Sequence, residues 1–200
     1  DRNRTSPFPY GGARFEYRAV GSTQNVSMVN TVLNTITAEA FNLVADRLEA
    51  GEAAADIVKD LYEKHKRVVY NGNGYDPAWP EEANKRGIWR LDSAVEAMCL
   101  LDSEKNIALF GSENIFTKEE LEARKEIILE HYTGTVEMEC MCMIDMIKQH
   151  VIPAVKAAEI GPLAELEACI PTLESGIAGV HAADDPAEKA KLARVLRLET

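Results

Sequence analysis

Arg14, Glu16 and Arg18 occur at alternate positions of the run Arg14-Phe15-Glu16-Tyr17-Arg18, and Arg4 precedes them in Asn3-Arg4-Thr5-Ser6. In a strand, successive side chains point to opposite faces. The three charged residues would then share one face, and Phe15 and Tyr17 the other. A guanidinium fork can hold two oxygens of a phosphate or carboxylate at once. The carboxylate among the arginines is the kind of oxygen ligand a hard divalent cation needs. Such a face, with Arg4 close by, suits phosphate oxygens, a metal and a carboxylate substrate. The same spacing also describes a solvated strand face whose ion pairs are each worth roughly 0–1 kcal/mol. Spacing alone favours that plainer reading, because alternating charged strands are common.

The element that would position these residues is a hairpin over residues 6–20. Gly11-Gly12 is a turn signal between Phe8-Pro9-Tyr10 and the charged run. Pro9 restricts the first arm to an edge or an irregular strand. A lone hairpin is marginal in water, so this one is expected to join a sheet supplied by residues outside the chain.

Asn3-Arg4-Thr5-Ser6 followed by Arg14-Phe15-Glu16-Tyr17-Arg18-Ala19-Val20-Gly21-Ser22 resembles the C-terminal end of a glutamine synthetase catalytic domain, most closely that of the type III enzymes. The likeness is dense over residues 2–24 and weaker over 27–50. Beyond that the chain is similar to the helical C-terminal extension of type III enzymes. The resemblance implies two parts: the end of a catalytic domain in residues 1–50 and a helical extension in 51–200. It implies an ATP-dependent ligase that makes glutamine from glutamate and ammonia through a γ-glutamyl phosphate. Carried across the motif, Arg4 would be catalytic and contact the transferring phosphate, Arg14 would hold nucleotide phosphate, and Arg18 would bind glutamate or its phosphorylated form. Glu16 would ligate a divalent cation, magnesium or manganese. In many synthetases an arginine follows the Arg4 position by five residues; here Pro9 occupies that place, and its nucleotide contact is not assigned. The resemblance also implies a ring-shaped homo-oligomer. This chain alone is expected to be inactive, since the other metal ligands and the nucleotide loops lie upstream.

Charge is unevenly distributed. Residues 1–20 hold four arginines against Asp1 and Glu16, a net of +2, within a chain whose net charge is −11. A basic segment on an acidic body fits a local anion site and argues against nucleic acid as a partner, which calls for a broad basic surface. No run is long and apolar enough to predict a transmembrane helix, and no signal peptide is recognisable. Cys99, Cys140, Cys142 and Cys169 match neither a zinc pattern nor a secreted disulfide framework. Buried, reduced thiols in a cytoplasmic protein are the expectation. The chain opens inside a motif without methionine and stops within a helical pattern, and so reads as a piece of a longer protein.

Helical periodicity dominates after the charged run. Residues 27–50 carry Val29, Leu33, Ile36, Ala40, Leu43 and Val44 at helical spacing, with Asn25 or Ser27 as cap and Gly51 as stop. A second helix is predicted over 53–67. Asn71-Gly72-Asn73-Gly74 is turn chemistry and lacks the ending of a phosphate-binding loop. Three short helices follow, near 79–86, 94–101 and 103–110, the last stopped by Gly111. Thr117 with Glu120 forms a capping box at the start of a long element over 118–160, with a kink expected at Pro153. Val136, Cys140, Met143, Ile147 and Val151 repeat along it. Leu163, Leu166, Ile170, Leu173, Ile177 and Val180 repeat after Gly161-Pro162, and Pro171 is expected to bend that arm. The two seams predict an antiparallel helical hairpin. Asp184-Asp185-Pro186 then opens a last helix bearing Leu192, Val195 and Leu196.

The expected fold is therefore mainly α, a hairpin remnant of a catalytic sheet followed by a helical bundle with a long antiparallel hairpin. Met138, Met141, Met143 and Met146 lie among Cys140 and Cys142. Soft sulfur ligands select copper(I), but methionine more often fills a core, and the core reading is preferred. His65, His131, His150 and His181 form no metal-binding pair in the sequence. Two other readings stay open. One is a non-catalytic helical module for interaction or oligomerisation. The other is a related ligase that joins glutamate to a different amine.

Overall fold

The structure, a computed structural model, describes residues 8–18, 21, 24–88 and 90–199. The described residues are mainly α-helical, in two units, Asp1–Leu91 and Asp92–Thr200.

In the first unit, helix α1 spans Ser27–Glu49 and α2 spans Ala54–His65, followed by one 3-10 turn at Lys66–Val68. The Asn25 side-chain oxygen accepts the Ser27 N–H at 2.7 Å, which satisfies a donor that the first turn leaves free. Gly51 adopts φ +91° just past α1, a left-handed conformation that glycine reaches without strain. Arg47 then ties the two helices together. It reaches Asp60 at 2.7 Å and grips Glu52 with two nitrogens at 2.9 and 2.6 Å. The hydrogen bond to Arg47 holds the Glu52 carboxyl below its ordinary range.

On the apolar face expected for α1, Val29, Leu33 and Val44 are part-buried while Ile36 and Leu43 are exposed, and the buried residue of the helix is Thr35. Asn30, Asn34 and Asn42 are exposed, as their polarity leads one to expect. Farther on, Tyr70 stacks on Trp79 at 3.8 Å and Arg86 lies over both rings. Asn73 and Asp76 side chains accept backbone N–H groups of Tyr75 and Ala78, so the asparagine–glycine stretch is built as turns. Helix α3, Trp79–Lys85, ends at Gly87 with φ +70°.

The predicted β-hairpin is not present as strands. Among the described residues it is reduced to one antiparallel bridge between Tyr10 and Phe15, closed by Gly11 N–H to Arg14 O at 2.7 Å and Glu16 N–H to Pro9 O at 3.1 Å. The physical reason is local. Pro9 has no N–H to donate, and two short arms without a third strand cannot sustain a ladder.

The second unit begins with two short helices, α4 (Ala94–Met98) and α5 (Glu104–Ser112). Ser93 caps α4 by accepting the Glu96 N–H. Gly111 lies inside α5 rather than stopping it, and Asn114, at φ 53°, makes the left-handed exit. Helix α6, Lys118–Met146, opens with the predicted capping box: Thr117 Oγ1 accepts the Glu120 N–H at 3.2 Å and Glu120 accepts the Thr117 N–H at 2.8 Å. Replacing Thr117 with alanine removes one half of that exchange. A loss of about 1 kcal/mol is expected, measurable as a lower urea midpoint with an unchanged slope.

Where a kink is expected at Pro153, the chain passes from α6 through a π turn at Ile147–Val151 into α7, Ile152–Ala158. Proline lacks the N–H that would bond the carbonyl four residues back, and its ring crowds that carbonyl. A wider turn just ahead of the proline accommodates both defects. Glu159 (φ 55°) and Gly161 (φ +86°) then reverse the chain into α8, Leu163–Ala182, which continues through Pro171.

α8 runs antiparallel to α6 and α7, as the two seams predict. His181 pairs with Glu137, Lys148 with Glu174 and Lys156 with Glu167, at 3.2, 2.8 and 3.0 Å, so numbers fall on one arm as they rise on the other. The last helix, α9, spans Pro186–Glu199. Asp185 accepts the Glu188 N–H at 2.9 Å at its start. The core joins Val136, Cys140, Ile144 and Ile147 to Leu173 and Val180 of α8 and to Ala193 and Leu196 of α9. A second cluster joins Val95, Leu129 and Ala190. A Cβ at Gly176 would collide with a methyl of Leu196, so this glycine lets α9 approach α8 closely.

Further expectations about this unit are corrected. Met143 is exposed, and Ile144 takes the seam position assigned to it. Met138, Met141 and Met146 are exposed too, between 53 and 59%, so the methionines are not core. One side of α6 is buried by α8 and α9; these residues project from the other. Likewise Leu192 and Val195 of α9 face outward while Ala190 and Ala193 are fully buried.

Candidate functional site

The candidate site is the short charged run before α1. Although no strand forms among the described residues, the side chains alternate as expected. Phe8 stacks on Phe15 with ring centres 5.1 Å apart and meets Tyr17 edge-on at 6.2 Å. Tyr10 packs on Phe15 from the other arm at 5.2 Å. These rings remain 47–67% exposed. The aromatic face therefore orders the charged one without itself being covered.

On the charged face, Arg18 Nη2 donates to Glu16 Oε2 at 3.1 Å. The other terminal nitrogen of Arg18, Nη1, is buried and has no hydrogen-bond partner among the described residues. A buried guanidinium N–H without an acceptor costs free energy. An incoming phosphate or carboxylate oxygen would remove that cost. Arg14 is exposed on the turn, with its side chain beside Gly11. Arg4 lies outside the described residues.

Glu16 is the one carboxylate of the run, and half of its side chain is exposed. Among the described residues, no three histidine, cysteine or carboxylate side chains gather to hold a metal. Glu16 would therefore be one ligand of a set completed from elsewhere, since hard cations take several oxygens.

The cysteines divide by position. Cys140 is buried, and burial raises its thiol pKa; Cys99 is half-buried, and Cys142 and Cys169 are exposed, against the expectation that all are buried. All four are free thiols. His181 pairs with Glu137 on the surface of the helical hairpin. Among the described residues, no helix is long and apolar enough to cross a membrane.

Comparison with known proteins adds to this geometry. The family model for the glutamine synthetase C-terminal domain matches residues 53–162. The type-3 glutamine synthetase of Dictyostelium discoideum is 39% identical over 182 residues, covering 88% of this chain and 25% of that protein. A glutamine synthetase of Butyrivibrio fibrisolvens is 36% identical, over 80% of this chain and 23% of that protein. One from Bacteroides fragilis is 32% identical, over 76% and 22%. The chain thus spans about a quarter of the length of these relatives. The match covers more than half of the chain and is centred on its helices, and on that ground the chain belongs to the glutamine synthetase C-terminal domain family.

Proposed function

We propose that this chain is the C-terminal portion of a type III glutamine synthetase, with residues 1–50 closing the catalytic domain and 51–200 forming a helical extension. The observation that carries the reading is Arg18, paired to Glu16 through one nitrogen and holding a second, buried nitrogen without an acceptor among the described residues. The family match beginning at residue 53 supports the division between the parts.

In the proposed reaction, an oxygen of the glutamate side-chain carboxylate attacks the γ-phosphorus of ATP. The bond to ADP breaks, and a γ-glutamyl phosphate forms. Ammonia then displaces phosphate at the carbonyl carbon. Both steps gather anions that repel one another, so catalysis rests on placing positive charge where oxygens accumulate negative charge. Arg18 orients the glutamate carboxylate or its phosphorylated form. Arg14 and Arg4 hold phosphate oxygens. Glu16 contributes one ligand to a magnesium or manganese ion, which would neutralise phosphate oxygens. The remainder of the site, including its other metal ligands, comes from sequence outside these residues. The reading carries with it a ring-shaped homo-oligomer in the cytoplasm, without nucleic acid or membrane as partners.

The test has two arms. The full-length protein, given ATP and glutamate, should form glutamine with ammonia and prefer it to alkylamines. Preference for an alkylamine would move the assignment to a related glutamate–amine ligase. The isolated chain of 200 residues should form none, and turnover by it would show that Glu16 needs no further ligands.

A further inference from the structure

The run Asn71-Gly72-Asn73-Gly74 has no part in the proposed reaction and holds two asparagine–glycine steps. Such a step carries its own reactants. The glycine backbone nitrogen, shielded by no side chain, attacks the side-chain amide carbon of the asparagine before it. The new carbon–nitrogen bond closes a five-membered succinimide, the glycine nitrogen gives up its proton, and the side-chain nitrogen leaves as ammonia. Water then opens one of the two ring carbonyls. One opening leaves aspartate. The other leaves isoaspartate, in which the main chain runs through the former side chain and is one carbon longer. Water is the only co-reactant.

The two steps differ in how they are held. For attack, the glycine nitrogen must turn a face of its peptide plane toward the side-chain carbon, and the asparagine carbonyl turns with that plane. At Asn73 the carbonyl is tied twice, accepting the Asp76 N–H and the Tyr70 hydroxyl, each at 3.1 Å. Its side-chain oxygen accepts the Tyr75 N–H at 3.0 Å. Ring closure there must first break these bonds. Asn71 is exposed, and neither its side chain nor its carbonyl makes a hydrogen bond among the described residues. Packing dictates the glycine that follows it. A Cβ at Gly72 would collide with the Tyr70 hydroxyl. That ring is held in place, stacked on Trp79 at 3.8 Å with the Arg86 guanidinium 5.9 Å from its centre. Tyr70 therefore restrains Asn73 and at the same time requires the residue after Asn71 to be the one that leaves it most reactive.

We propose that Asn71 is a site of spontaneous deamidation and isoaspartate formation in the native protein, and that Asn73 is protected by its turn. The inference stands apart from the ligase reading, and its test does not use turnover. The full-length protein is aged at mildly alkaline pH beside a synthetic peptide of residues 66–78. Fragment masses follow the exchange of a side-chain amino group for a hydroxyl at each asparagine. Methyl transfer by an isoaspartate carboxyl methyltransferase reports the rearranged product. In the protein, Asn71 should convert at about its rate in the peptide. Asn73 should convert at least about tenfold more slowly than in the peptide, because its hydrogen bonds add to the barrier. The methyl label should vanish in Asn71→Gln, since glutamine must close a larger ring. Tyr70→Phe keeps the stacked ring but removes one donor from the Asn73 carbonyl, and should speed conversion at Asn73 several-fold. The proposal is overturned if Asn71 is slowed in the protein as much as Asn73, if Asn73 converts as fast as Asn71, or if the label persists in Asn71→Gln. An unchanged Asn73 rate in Tyr70→Phe would overturn the part assigned to Tyr70.

Discussion

Glutamine formation by the full-length protein should fall by at least about 100-fold when Glu16 is changed to glutamine, with assembly and fold unchanged. Glutamine preserves the shape of the side chain and can still accept the Arg18 Nη2 hydrogen bond, which is 3.1 Å long in the parent. It removes only the negative charge. If Glu16 were a surface ion-pair residue, that loss would matter little, because exposed pairs contribute roughly 0–1 kcal/mol. If Glu16 ligates the cation that neutralises phosphate oxygens, the site loses a charged ligand in the step where oxygens crowd together. The expected signature is a lower kcat together with a raised requirement for divalent cation. Equal turnover at every cation concentration would return the residue to the solvated-face reading.

Changing Ala193 to leucine should destabilise the second unit by about 1–3 kcal/mol or more. Ala193 is fully buried where α9 meets the core of α6 and α8, beside Leu196, Val136 and Val180. A longer side chain there must push α9 away or force its neighbours off their rotamers. The neighbouring change Leu192→Ala deletes a side chain that is 38% exposed and meets no overpacking, so it should cost less, about 1 kcal/mol. Urea unfolding of both variants checks the contrast. A larger loss for Leu192→Ala would mean that α9 is rotated from the placement described.

The contrast at α9 also shows where sequence patterning stops being informative. Periodicity and caps placed the helices well: Asn25, Gly51, Thr117 with Glu120, and Asp185 all sit at the ends they mark. Those signals are local, with a physical cause within a few residues. The antiparallel hairpin was legible too, because two seams and a glycine–proline turn leave little other choice. Which apolar side chains face inward is set by neighbours far away in sequence. Leucine and valine at 192 and 195 outrank alanine in hydrophobicity, but a close helix contact selects alanine. On α6 the methionine pattern reads as core, although among the described residues of its unit the helix is packed on one side. The signal that could have corrected this is the buried series Leu129, Val136, Cys140, Ile144 and Ile147, which already fills one helical face.

The charged run behaves differently. Its alternation of faces was legible and is present, with Phe15 and Tyr17 on Phe8 and Glu16 on Arg18. Its strand character was not realised, because a ladder needs partners that these residues do not include. That Arg18 Nη1 is buried without a partner among the described residues is not legible in the sequence, since burial of a single atom depends on the packing around it. Identity came from residue types in order along the run, and the helical family match then met it from the other side of α1.

Arg18 gives the most direct test. Glutamine formation from ATP, glutamate and ammonia is measured for the full-length protein beside its Arg18→Ala variant, with assembly checked for both. The account predicts an active parent and a variant that assembles normally but has lost most of its turnover, with a raised KM for glutamate. A parent that forms no glutamine, or a variant that turns over as fast as the parent, would contradict it.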